Sequence, residues 1–517
     1  MNQTDLFGQP IPSDKLRKID VLKTMNFGSP VAEDEKDSLQ SYFLETELWA
    51  RVYKGEADLI LGPKGGGKSA IFLLLQDKKA DLKKHAKVDI LSAENIRGDA
   101  AFKSLVNDPP SSEREIEVIW RLYFVALVAQ YLIDAGLGGR ESTRLTDALL
   151  EARLISRDKP TLAQKLASVR KAAMAMVKPK SISGTFSLTE AGLPVFGGQI
   201  DFDRSQQAET SFEDVEERIN DFYRMADSAL AEHKLKVWIL IDRLDVAFEE
   251  DHELEKNALR GLLRSYLNIK QFDNIFLKVF LRSDIFARIT QDGFREATHI
   301  TRLRSIDWSR DSIRNIIIRR ALANPGLRNY YGVDAGGIEK SADRQDALFN
   351  RIFPEQVEVG EKKPKTLDWI IKRISDGRGT FGPRDAIIFM TSLVELQAKK
   401  LELGDRDPQG EALFDRVIFK DAYRMVSDQK RDRVLFAEYP TERKHIEALR
   451  GKKTDFTLGG LQSVWKVSLE EALRIANRLL DIGFFEKKTS KDEDIFSAGW
   501  VYRPGLGLKQ GLYSYEQ

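Results

Sequence analysis

Gly62-Pro63-Lys64-Gly65-Gly66-Gly67-Lys68-Ser69 is a complete G-x-x-x-x-G-K-S stretch, and the rest of the chain is read outward from it. Several adjacent negative charges, as on a polyphosphate, are held most directly by a ring of backbone N–H donors. Such a ring needs a chain free to take φ > 0 without a Cβ clash. Gly62, Gly65, Gly66 and Gly67 supply that freedom, and Pro63 and Lys64 complete the loop. Lys68 is then placed to reach β- and γ-phosphates, and the Ser69 hydroxyl to ligate Mg2+. The apolar run Ala57–Leu61 precedes the loop and Ala70–Leu75 follows it. Strand, glycine-rich loop, then a helix whose N-terminus faces the anion is the order that phosphate binding requires.

The chain has 517 residues, long enough for two to four domains and a large buried core. Hydrophobic residues make up 42% and charged residues 31%, a balance that suits a globular protein rather than a disordered one. Lys and Arg number 81 against 80 Asp and Glu, so no bulk basic footprint for nucleic acid exists and any such contact has to be a local patch. The absence of cysteine excludes disulfides, thiolate zinc sites and thiol catalysis. His85, His233, His252, His299 and His445 are far apart and lack metal-ligand spacing. The N-terminus carries no basic segment followed by an apolar run, so an export signal is not expected. Val118–Ala135 is the most apolar long stretch, but it contains Arg121, Gln130 and Asp134 and reads as a buried helix, not a membrane span. The expected location is cytoplasmic.

Residues 1–54 read as a lead-in that becomes helical near Glu35–Tyr53. Residues 55–306 form the expected α/β core. Its strands are predicted at 57–61, Val88–Ser92, Lys236–Ile241, Ile275–Leu281 and, last and short, within His299–Ile306, with an apolar helix over 115–136. Continuous apolar runs such as Val237–Ile241 mark strands buried on both faces of a doubly wound parallel sheet. Residues 137–215 read as an insertion: a helix over Leu162–Met176, then an alternating strand at Ile182–Leu188 with a hairpin partner within Leu193–Phe202. Residues 307–435 form an α-helical lid region, helical from Trp308 and again near 366–376 and 383–400, with 326–364 expected to be loop-rich. The stretch 436–517 reads as three helices followed by a two-stranded wing at Phe484–Ser490 and Gly499–Arg503. Ser468-Leu469-Glu470-Glu471 is a capping box that starts a helix running to Ile482, and Gly483 stops it.

Phosphate chemistry needs a metal-holding carboxylate. Asp242, at the end of its apolar strand, is positioned for that role beside Ser69. Hydrolysis also needs a group that orients water, yet the next residue is Arg243. The nearest remaining carboxylate is Asp245, with Glu249 and Glu250 further off. Slow turnover, or a nucleotide held as a switch, therefore stays open beside hydrolysis. Arg282 ends another core strand, where a polar side chain can face a γ-phosphate. Arg295, Arg302 and Arg304 are candidates for an arginine finger, and nothing in the sequence chooses among them. The basic run Lys78-Lys79 and Lys83-Lys84 reads as a solvated helix face.

Taken together, these pieces resemble prokaryotic P-loop ATPases of the STAND and origin-recognition type, within the wider AAA+ group. The resemblance rests on the Gly62–Ser69 loop, the Val237–Asp245 strand, the Arg282 strand end, the lid segment Gly379-Thr380-Phe381-Gly382-Pro383-Arg384 and a winged-helix-like C-terminus. The lead-in Phe27-Gly28-Ser29, Ala32–Glu35 and Tyr42-Phe43 is similar to one bacterial branch of such ATPases. The resemblance implies ATP and Mg2+ as ligands, Pro383 packed on the base, and Arg384 near the phosphates as a sensor. It also implies a role in defence against phages or mobile elements. Arg243, where that group often has an acid, is the departure.

Two functions follow. In one, an ATP-dependent switch or scaffold relays a change of shape to a protein partner or within a homo-oligomer. In the other, the C-terminal winged helix docks on DNA. Its candidate recognition helix offers Arg474, Asn477 and Arg478 against Glu470, Glu471 and Asp481, with Lys487, Lys488 and Lys491 on the wing. A small-molecule kinase fits poorly, because no acceptor site is evident.

Overall fold

The computed structural model describes residues 17–35, 39–93, 112–156, 161–177, 186–188, 194–196, 212–244, 252–291, 293–490 and 493–513. Contacts divide the chain into two compact units. One comprises Glu45–Lys64 and Lys68–Ile306, the other Met1–Leu44, Gly65–Gly67 and Asp307–Gln517.

The first of these is an α/β unit built on five strands: β1 Leu59–Gly62, β2 Val88–Ser92, β3 Lys236–Ile241, β4 Ile275–Arg282 and β5 Leu303–Ser305. They lie in the order β2-β3-β4-β1-β5, and every neighbouring pair is parallel. Burial from both faces explains why β3 and β4 are almost wholly Val, Ile, Leu and aromatic. Lys236 and Arg282 stand at strand ends, whereas Lys278 is a fully buried lysine in the middle of β4.

The helix Glu113–Asp134 is long and apolar enough to cross a membrane by length and composition, but its most apolar window is 94% buried inside the protein. Trp120 Nε1 donates to Ala258 O at 2.8 Å and Tyr123 OH to Ala93 O at 2.8 Å, so these two ring polar atoms are satisfied within the core. Between β2 and β3 stand Leu162–Val177, Phe212–Glu232 and a further helix, Arg140–Glu151, that the periodicity reading passed over. Phe186–Leu188 pairs antiparallel with Pro194–Phe196. The flanking parts of that expected hairpin lie outside the described residues.

In the other unit, Lys18–Thr24, Arg310–Leu322, Thr366–Ile374, Pro383–Glu402 and Ile418–Lys430 pack around one hydrophobic cluster. Three corrections emerge. The segment 326–364 holds helices, not chiefly loop: Pro325–Tyr331, Ala335–Glu339 and Ala342–Ile352. Asp334 and Ser341 cap the last two, and Leu348, Phe349 and Ile352 are buried. The expected second wing strand at Gly499–Arg503 is instead a 3₁₀ turn, Trp500–Tyr502. Its place is taken by Glu493–Ala498, which pairs antiparallel with Phe485–Ser490. An unforeseen strand, Lys453–Thr457, joins Glu493–Ala498 antiparallel and Lys509–Tyr513 parallel, giving a four-stranded sheet. Leu458–Trp465 and Leu469–Asp481 lie between its first two strands in sequence. Ser468 caps the latter by accepting from Glu471 N at 3.1 Å, and Gly483, at φ +76°, follows its end.

The lead-in is also more broken than expected. Ala32–Glu35 is a 3₁₀ turn, Leu39–Tyr42 a short helix, and a new helix begins at Glu47 under a Thr46 cap. Glu35 and Arg320 form a buried bidentate pair, at 2.9 and 2.7 Å. The same guanidinium also donates to the Phe27 carbonyl.

Candidate functional site

The eight-residue loop joins β1 directly to the helix Lys68–Asp77, so its shape is set at both ends. Gly62 leaves β1 against the Ile306 side chain, where an added Cβ would lie 3.0 Å from the nearest methyl. Gly65 and Gly67 adopt φ of +74° and +96°. L-residues with a Cβ rarely occupy that region, so glycine at these two positions is a conformational requirement. Lys68 Nζ donates to Gly62 O at 2.9 Å and to Pro63 O at 3.0 Å. Two neutral carbonyls thus hold the ammonium beside the loop, and a charged phosphate oxygen is a stronger acceptor than either.

Ser69 Oγ donates to Asp242 Oδ2 at 2.9 Å, across 173 residues of sequence. Asp242 is buried just past the end of β3. A hydroxyl and a carboxylate oxygen side by side at the loop fit Mg2+, which takes few protein oxygens and keeps the remainder of its shell for water and phosphate. Arg243, the next residue, sits at φ +60°, a left-handed conformation that costs a non-glycine residue about 1–2 kcal/mol. Asp245, Glu249 and Glu250 lie outside the described residues.

Strand order brings Arg282 to the same sheet edge. β4 lies between β1 and β3, and Gly62 is opposite Arg282 in register. Its guanidinium makes a bidentate pair with Asp284, at 3.1 and 2.7 Å, which fixes its orientation. Of the arginine-finger candidates, Arg302 is bound to Asp58 at 3.2 Å, and Arg304 donates to Leu303 O at 2.7 Å. Arg295 stands in the 3₁₀ turn Arg295–His299. The basic run is not simply solvated. Lys79 and Lys83 pair with buried Asp89 at 3.0 and 2.7 Å, and Tyr131 OH donates to the same carboxylate at 2.9 Å.

Gly65–Gly67 belong to the unit that contains Asp307–Gln517. The Arg384 stem packs on Gly65, whose added Cβ would meet Arg384 Cβ at 2.9 Å. Arg384 Nε donates to Pro30 O at 3.2 Å. Pro383 opens the helix Pro383–Glu402 after Gly382, where a fixed φ suits the first turn. Sequence reasoning passed over Trp308, whose Nε1 donates to Gly66 O at 2.9 Å. No periodicity or motif marks that tryptophan; only the fold carries it to the loop.

No model of a known protein family matches this chain, and no curated protein matches it. Solved structures similar to it include the Aeropyrum pernix ORC2 protein in ADPNP–ADP complexes. That match has 12% identity over 95% of this chain and 96% of that one, with a TM-score of 0.32. Another is Cdc6p from Pyrobaculum aerophilum, at 14% identity over 59% of this chain and 72% of that one, with a TM-score of 0.20. Similarity this low leaves the reading of the site resting on its own geometry.

Proposed function

We propose that this chain is a cytoplasmic, ATP-binding P-loop ATPase that works as a nucleotide-dependent switch or scaffold. The observation that carries the reading is the Ser69–Asp242 contact of 2.9 Å beside a loop with two left-handed glycines. Together they provide backbone donors for phosphate and two oxygens for Mg2+. The metal, when bound, neutralises charge on the β- and γ-oxygens. The chain's own part is positional: Lys68 offers its ammonium at the loop, Asp242 holds the Ser69 hydroxyl in place, and Arg282 stands at the same sheet edge. Arg384 is the proposed sensor and Pro383 the proposed contact for the base, both carried by the sequence resemblance and by the packing of Arg384 on Gly65. Asp245 is the proposed water-orienting group. A role in defence against phages or mobile elements is proposed on the resemblance alone.

The winged-helix reading of 436–517 is part of the proposal, supported by the helix pair followed by the strand pair. Its surface favours a protein partner or a second copy over DNA. Arg474 is paired with Glu471 at 2.6 Å and Arg478 lies 3.5 Å from Glu442. Lys487 is paired with Asp494 and Lys488 with Glu486, each at 2.8 Å. Leu469 and Leu473, one helical turn apart, are exposed. Phosphate-binding surfaces need cations not already neutralised by neighbours.

Calorimetry with ATP and with GTP in Mg2+, on wild type and Lys68→Ala, tests the nucleotide reading. Wild type is expected to bind and Lys68→Ala to lose binding, while absence of heat with both nucleotides sinks the proposal. Turnover of Asp245→Ala separates a catalytic carboxylate from a bystander. A salt-dependent mobility shift with duplex DNA would overturn the preference for a protein partner.

A further inference from the structure

We infer that Trp308 is a positioning residue for the phosphate cradle, aiming the Gly67 backbone donor of the loop by holding the Gly66 carbonyl on its other side. The inference rests on the nucleotide reading above and goes beyond it. In a trans peptide, C=O and the following N–H point in opposite directions across one plane, and no cis peptide bond occurs among the described residues. Trp308 Nε1 fixes the Gly66 carbonyl at 2.9 Å, which turns the Gly67 N–H away from the indole. Gly382 lies beside the preceding peptide, where its added Cβ would be 3.1 Å from the Gly65 oxygen and 3.6 Å from the Gly65 carbon. Gly66 stands between glycines at φ +74° and +96°. Successive backbone N–H groups in such a turn form an anion-binding nest.

Trp308 is suited to the task for two reasons. Its indole is a donor only, so it can be satisfied by a carbonyl and cannot compete for the loop's N–H groups. Its ring also lies against Gly67, where an added Cβ would be 3.7 Å from Cζ2. Ser309 caps the helix Arg310–Leu322, with its side chain accepting from Ser312 N, and so anchors the residue after the tryptophan. Loop shape is therefore set before any ligand arrives, and the cost of ordering glycines is not deducted from phosphate affinity.

The test is Trp308→Phe, which keeps an aromatic ring, smaller by the pyrrole part of the indole, and removes the N–H. Calorimetry is run with Mg-ATP and with Mg-tripolyphosphate, beside wild type and Lys68→Ala. The expected result is a parallel weakening for both ligands of about three- to tenfold, the share of one neutral hydrogen bond, with the unliganded melting temperature unchanged. Wild-type affinity in Trp308→Phe overturns the inference. So does a loss that appears only together with a lowered melting temperature, which marks a merely structural tryptophan. Failure of wild type itself to bind either ligand removes the nucleotide reading instead. A second measurement needs no variant: hydrogen exchange of wild type should show the Gly67 amide gaining protection on adding tripolyphosphate, and unchanged exchange there refutes the assignment.

Discussion

Removing the Asp58 carboxylate should damage the α/β unit far more than removing the lysine that faces it. Lys278 Nζ is wholly buried and donates to Asp58 Oδ1 at 2.7 Å and to Ala57 O at 2.6 Å, with the Trp238 ring centroid 4.4 Å away. Asp58 has two more partners, Tyr266 OH at 3.2 Å and Arg302 Nε at 3.2 Å. Burial pulls the Lys278 pKa down and Asp58 opposes it, so the ammonium depends on this carboxylate. In Asp58→Ala it is left inside the sheet facing one carbonyl and one indole, which costs about 3–5 kcal/mol. In Lys278→Met, Asp58 keeps Arg302 and Tyr266 and the methionine fills the space, so the cost is about 0–2 kcal/mol. At roughly 2–4 °C per kcal/mol for a unit of this size, Asp58→Ala should melt about 6–20 °C lower. The double variant should be more stable than Asp58→Ala, because the stranded charge is gone. Melting curves, with hydrogen exchange in Ile275–Arg282 to report on this unit, decide the matter. If Asp58→Ala melts with wild type, or if Lys278→Met is equally damaging, the account of the pair is wrong. The position also bears on the candidate site, since Asp58 directly precedes β1 and β1 ends in the glycine-rich loop.

Gly65→Ala forces a side chain into a left-handed conformation with its Cβ 2.9 Å from that of Arg384. ATP affinity measured by calorimetry should fall by roughly 1–3 kcal/mol, and an unchanged Kd would refute the strain argument. Glu35→Ala takes the carboxylate from the buried Arg320 guanidinium and should cost about 3–5 kcal/mol in denaturant unfolding, with early proteolysis in the lead-in; a midpoint equal to wild type contradicts this. Asp89 supplies a pH test. Burial pushes its carboxyl up, but Lys83, Lys79 and Tyr131 outweigh this and hold it below the usual carboxylate range. A depressed folded pKa stabilises at pH above the ordinary value of about 4, and that contribution is lost as pH falls through the lower folded value. Asp89→Asn should therefore be less stable near neutrality and show a flatter stability profile below about pH 4 than wild type; parallel acid limbs would count against it.

Local sequence carried the features whose physics is local. Strand, glycine loop and helix at 57–77 are contiguous, so chirality at Gly65 and Gly67 and the helix start at Lys68 needed only neighbouring residues. The apolar runs of β3 and β4 likewise report burial on both faces directly, and Ser468 with Glu471 announced a helix start through a bond three residues long. Where an element depends on partners distant in sequence, the local pattern failed. Lys453–Thr457 is polar and short, and it is a strand because Glu493–Ala498 and Lys509–Tyr513 flank it. Gly499–Arg503 has strand-forming residues, yet its backbone bonds go elsewhere, Gly499 N to Phe484 O and Val501 N to Ser375 O, and it closes as a turn. Tertiary structure alone also decided which charges are spoken for. Lys79 and Lys83 look solvated until β2 brings Asp89 beside them, and Arg302 looks like a free finger until Asp58 claims it. Trp308 shows the same limit, because a hydrogen bond spanning 242 residues leaves no periodicity behind. Short-range order is written in spacing, whereas pairing across the fold depends on where the chain returns.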